Sequence, residues 1–116
     1  RVGECLLEGD LEGIVSLFHP QCRICFPLEG PPLEGHDGVR ELFAPFCEIR
    51  PRLFSEVSGE MINGDTALIQ GKWRFEDQDG AILSEGESTE VAKKLKDGSW
   101  GYYIDCPFGA PPLLDD

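Results

Sequence analysis

A chain of 116 residues with 41% hydrophobic content is the size of one domain and can bury a core without disulfides or metal. Its 22 Asp and Glu against 10 Lys and Arg leave a net charge of -12, which repels phosphate backbones and anionic bilayers and so argues against nucleic-acid and membrane partners. No apolar run approaches the roughly 20 residues needed to span a bilayer, and five cysteines at irregular spacing (Cys5, Cys22, Cys25, Cys47, Cys106) fit free thiols in a reducing compartment, the cytoplasm, better than a secreted disulfide framework.

Residues 2–7 read as the end of a helix already under way at Arg1, hence an incomplete one, closed by Gly9 with Asp10 as the next N-cap. Leu11, Ile14, Val15, Leu17 and Phe18 recur at three- and four-residue spacing, predicting a second helix that Pro20 terminates. Residues 23–27 predict a short strand. Residues 28–35, with Pro31-Pro32, predict an extended loop. Val39, Leu42, Phe43 and Phe46 mark a third helix, with Asp37 in the first turn where a negative charge suits the helix dipole.

From Arg50 the period becomes strand-like. Strands are predicted over residues 52–62, 66–75, 82–95 and 99–108, separated by Asn63-Gly64-Asp65, Asp77-Gln78-Asp79-Gly80 and Lys96-Asp97-Gly98, each with hairpin chemistry. Residues 109–116 read as a tail. Helices followed by a long meander make one α+β domain over residues 1–116, with the helices on one face of the sheet. Gly59, Gly71 and Gly86 let the long strands bend around those helices into a cone with an apolar mouth.

The last strand carries the residue of greatest chemical interest, Asp105, an acid among Trp100, Tyr102, Tyr103 and Ile104 just before Pro107. Such an acid faces a polar partner, a wet pocket or the rim. A three-residue loop at Lys96-Asp97-Gly98 puts Thr89 opposite Asp105 and Val91 opposite Tyr103, with Glu87 on the same face; a two-residue turn puts Glu90 there instead. Either register brings a second carboxylate near Asp105, and two close acids in a partly apolar site push one pKa up. Trp73 reads as core or pocket wall. His19 and His36 sit at helix-end positions, and Cys22-Arg23-Ile24-Cys25 enters a strand where a redox motif opens a helix. No metal-ligand cluster and no cofactor-binding motif is evident.

Four segments, in order, carry a resemblance: residues 8–18 before Pro20, residues 35–43 (Gly-His-Asp-Gly-Val-Arg-Glu-Leu-Phe), Gly64-Asp65-Thr66-Ala67-Leu68-Ile69, and Asp97-Gly98-Ser99-Trp100. Together they resemble the SnoaL-like, ketosteroid-isomerase-like proteins of the nuclear transport factor two superfamily. The resemblance implies helices packed in the concave face of a strongly curved antiparallel sheet, a cone-shaped α+β barrel, usually a homodimer. It also implies a small, largely apolar molecule in the cone, with Phe18, Phe26, Trp73, Thr89 and Tyr103 as ligand-binding candidates. Phe26 falls where the steroid isomerases carry their base aspartate and Phe18 where they carry a tyrosine, so the steroid mechanism is not expected. Limonene-epoxide-hydrolase-like members carry a base aspartate on the last strand, where Asp105 falls. Two expectations follow: cofactor-independent proton transfer of the isomerase, cyclase, dehydratase or hydrolase type, with Asp105 as acid or base assisted by Glu87 or Glu90, or a non-catalytic ligand-binding or interaction module.

Overall fold

The computed structural model describes residues 1–111, so most of the tail expected over 109–116 lies outside the described residues. Helix α1 (Val2–Glu8) stops at Gly9, whose φ of 68° is the left-handed conformation that glycine adopts without a Cβ clash. The Asp10 side chain then accepts from the Gly13 N–H at 2.9 Å and caps α2 (Leu11–Val15). This helix is shorter than the apolar spacing predicts. Phe18, expected at its end, instead opens strand β1 (Phe18–Ile24), with Pro20 inside the strand. Proline is tolerated there because pairing to the last strand is interrupted between Phe18 and Arg23, where the missing N–H breaks no ladder bond.

Two residues of the segment expected as loop form strand β2 (Leu33–Glu34), which pairs antiparallel with Arg23 and Ile24. Helix α3 (Gly35–Ile49) follows at once. It buries Val39, Phe43 and Cys47, while Pro45 occupies its exposed side.

The second half is the expected meander: β3 (Arg52–Asn63), β4 (Thr66–Glu76), β5 (Ile82–Lys94) and β6 (Trp100–Cys106). Gly64, Gly80 and Gly98 turn its hairpins with φ of 62°, 86° and 87°. The six strands run in the order β2-β1-β6-β5-β4-β3, antiparallel except that β6 lies parallel to β1, with Phe18 beside Tyr102 and Ile24 beside Asp105. The last strand therefore occupies the middle of the sheet. The sheet curves without closing, and β2 and β3 remain its edges.

Register shifts in β3 between Val57 and Gly59, and in the β5–β6 pair between Val91 and Ala92, help it bend. The concave side holds the core: Cys5, Leu6, Ile14, Val15, Phe18, Cys22, Ile24, Val39, Phe43, Cys47 and Phe75. Among the described residues no helix is long and apolar enough to cross a membrane.

Candidate functional site

The β5–β6 hairpin decides which side chains look into the cone. Its loop is the three-residue one, with Lys94 opposite Trp100 and the Leu95 N–H donating to the Ser99 carbonyl at 2.7 Å. That register continues through Ala92 opposite Tyr102. A bulge then inserts one residue in β6, so Val91 pairs with Ile104 and Glu90 pairs with Asp105. Residues on adjacent strands in direct opposition have Cβ atoms about 4.5–5.5 Å apart. The bulge turns Tyr103 to the outer face, where it meets His19 edge-on at 5.1 Å and Lys93 over its ring at 4.5 Å. Tyr102 and Asp105 both stay on the concave side.

There they line a cavity of about 710 Å³ between the sheet and the helices. Its wall is aromatic: Phe18, Phe26, Phe43, Phe46, Trp73, Phe75, Tyr102 and Phe108. The rings contact one another, with centroids 5.2 Å apart for Phe18 and Tyr102, 4.9 Å for Phe46 and Phe75, and 5.3 Å for Trp73 and Phe75. The turn after β6 completes the wall. Trp73 Nε1–H donates to the Pro107 carbonyl at 2.7 Å, and Phe108 lies between Trp73 (5.5 Å) and Phe26 (6.5 Å). Gly86, opposite Trp73 on β5, makes room for this turn, since a Cβ there would meet Phe108 and the Pro107 carbonyl at 3.0 Å.

Asp105 and Glu90, opposed on this wall, are both shifted upward. Burial, and then the neighbouring Glu90 charge, push the Asp105 carboxyl up to about 7. Burial also raises Glu90. Tyr102 rises through burial, reinforced by Glu90 and Asp105. Asp105 keeps part of its surface open to the cavity while protein atoms surround it. An acid poised near neutrality beside an apolar hollow can both give and take a proton.

Of the residues singled out from the sequence, Asp105, Glu90, Phe18, Phe26 and Trp73 come together on this wall. Glu87, Thr89 and Tyr103 do not line it. Glu87 lies opposite Lys72, within 3.9 Å of its ammonium and largely in solvent, because it stands an odd number of residues from Glu90 and points to the outer face. Thr89 pairs with Cys106 on that same face. The wall residues that sequence reasoning missed are chiefly Tyr102, Ser88 and Phe108. Ser88 follows from alternation once Glu90 is placed, whereas Tyr102 depends on the bulge. His36 bonds the Phe18 carbonyl at 2.8 Å, and neither histidine lines the cavity.

A cone of helices against a curved sheet is the architecture of NTF2-like, cystatin-like proteins. The SnoaL-like domain model matches residues 1–98, and the chain belongs to that family. Similar solved structures include a function-unknown protein from Mycobacterium tuberculosis (22% identity over 91% of this chain and 67% of that one, TM-score 0.74). An NTF-2 like protein of unknown function from Shewanella oneidensis shares 19% identity over 90% of this chain and 87% of its own, with a TM-score of 0.72. A domain of unknown function with a cystatin-like fold from Nostoc punctiforme shares 18% over 97% and 71%, with a TM-score of 0.73. At these identities the likeness is one of fold. No curated protein matches the sequence significantly.

Proposed function

We propose that this SnoaL-like protein binds a small, largely apolar molecule in its cone and, without a cofactor, moves a proton to or from it, with Asp105 as acid and base and Glu90 as its charge partner. The observation that carries the reading is the position of Asp105: a carboxyl raised to about 7, open to an aromatic cavity and opposed by a second acid. Near neutral pH it is present in both forms, which suits isomerase, cyclase, dehydratase or hydrolase chemistry. Phe26, which the resemblance sets in the place of the steroid isomerases' base, lines the wall as a hydrocarbon, which argues against that mechanism.

Deuterium incorporation from heavy water into a panel of enolisable ketones tests proton transfer even while the natural substrate is unidentified. Exchange by the native chain that disappears in Asp105→Asn supports the reading. Equal exchange by both proteins removes Asp105 from the chemistry. A second reading, a non-catalytic binding module, draws on the two phenylalanines, Phe18 and Phe26, that stand where isomerases carry polar groups. It predicts binding of apolar ligands with no exchange at all.

The partner we assign to the outer sheet face is a second copy of the chain. Met61, Leu68, Val91 and Ile104 stand in register across four strands, and Met61 is 70% exposed. Arg23, Lys72, Arg74 and Lys93 around this row are matched by Glu34, Glu56, Glu85 and Glu87 on neighbouring strands, so the face is close to neutral in a chain of net charge -12 and two copies meet there with reduced repulsion. The unpaired thiols Cys5, Cys22, Cys25, Cys47 and Cys106 suit the reducing cytoplasm.

A further inference from the structure

The acid pair has no protein counter-charge among the described residues. Among the described residues no donor hydrogen-bonds the carboxyl of Asp105 or Glu90, and no cation lowers either. The cations on the cavity wall are engaged elsewhere. Arg1 pairs with Glu4 at 3.8 Å, Lys72 pairs with Glu87 at 3.9 Å on the outer face, and Arg52 donates to the carbonyls of Asp77 and Gln78 at 3.4 and 3.5 Å.

The groups that act on or feel Asp105 are Glu90 from β5, Tyr102 and Cys106 from β6 itself, and Cys22 from β1, all neutral or acidic. From β4 the Trp73 indole N–H is turned to the Pro107 carbonyl. Partly buried carboxyls without donors are unfavourable, and a ligand that brings a positive charge relieves them. Aromatic faces on the same wall attract cations as well.

We propose that the molecule bound in the cone is an organic amine, its nitrogen held between Asp105 and Glu90 and its apolar ring or chain against Phe18, Trp73, Tyr102 and Phe108. The inference rests on the reading above that an apolar molecule fills the cavity, and adds the polar group that molecule carries. A neutral amine takes the proton of Asp105: the carboxyl O–H bond breaks, an N–H bond forms, and an ammonium is left against carboxylates. An amine that arrives as ammonium releases the carboxyl proton to solvent. A carboxylate of equal size is repelled.

Three probes of matched shape separate the possibilities by calorimetry at pH 8: 1-naphthylmethylamine, 1-ethylnaphthalene and 1-naphthylacetate. The amine is expected to bind about tenfold or more tightly than the hydrocarbon, and the acetate least. At pH 5.5, with Asp105 protonated, the preference for the amine shrinks. At pH 7, titrations in two buffers of different ionisation enthalpy show proton release for the ammonium and none for the hydrocarbon. Glu90→Gln narrows the gap between amine and hydrocarbon. Equal binding of amine and hydrocarbon, or tightest binding of the acetate, overturns the inference and leaves the apolar-ligand reading intact. No binding by any probe overturns both.

Discussion

Tyr102 and Asp105 face one cavity although they stand three positions apart on a strand, a spacing that ordinarily sends side chains to opposite faces. The bulge at Tyr103 reconciles the two, and it brings Glu90, not Thr89, across from Asp105.

The charge of Glu90 should therefore be legible in the titration of Asp105. Glu90→Gln removes the neighbouring charge and is expected to lower the Asp105 pKa from about 7 toward the ordinary carboxylate range, leaving only the effect of burial. Glu87→Gln, on the outer face beside Lys72, leaves it unchanged. Carbon-13 NMR of labelled carboxyls reads both. An equal effect from the two substitutions would contradict the register.

Stability should depend on pH through the same group. The Asp105 pKa is raised in the folded state from 3.8 to about 7, so the folded chain binds its proton more tightly than the unfolded one. Its contribution is most favourable below pH 3.8, diminishes as pH rises through that window, and levels off above about 7. Asp105→Asn removes this dependence. At pH 8 the variant is expected to melt about 4 °C or more above the native chain, with the difference vanishing at pH 4. A variant that melts lower at pH 8 and not at pH 4 would mean that the ionised carboxyl is stabilised by a partner.

Gly86 holds the aromatic wall closed by having no side chain. Gly86→Ala places a methyl 3.0 Å from both Phe108 and the Pro107 carbonyl, which pushes the turn away and breaks the bond from Trp73 Nε1 at 2.7 Å. The expected loss is about 1–3 kcal/mol. Denaturant unfolding measures it, and a red shift of tryptophan emission reports the released indole. Unaltered emission would mean that the turn accommodates the methyl.

The outer apolar row predicts an oligomeric state. Leu68→Lys, on β4, puts a charge in the middle of the Met61–Leu68–Val91–Ile104 row. Sedimentation velocity is expected to show a dimer for the native chain and a monomer for the variant, with unchanged circular dichroism. A native monomer at micromolar concentration removes the second copy as partner.

Apolar content and the Gly9 stop place α1, helical spacing places α3, and the change of period with the Asn, Asp and Gly separators places the four-strand meander. Periodicity fails at Phe18. The apolar run from Leu11 fits a helix, yet its last ring belongs to a strand whose partner, β6, lies more than 80 residues away in the chain. It fails again at β2, which exists only because β1 offers Leu33 and Glu34 an edge. Asp105 is conspicuous in the sequence as a lone acid in an aromatic strand. Its partner hinges on a bulge that no residue type announces, so the loop length read from Gly98 is right and the pairing inferred from it is one residue off. The resemblance to the SnoaL-like family supplies the cone, whereas the assignment of faces on β5 follows only from the register.

The position of β6 between β1 and β5 also sets the order in which the sheet can be assembled during synthesis. Until β6 has left the ribosome, the emerged chain can form only two parts of the sheet, β1 with β2 and the β3–β5 meander, each with a bare edge where the missing strand belongs. Those edges are open to pairing with other chains until Trp100–Cys106 emerges from the exit tunnel and joins them. The strand that carries Asp105 is thus also the seam of the molecule, and a nascent chain acquires its acid site and its continuous sheet in the same event.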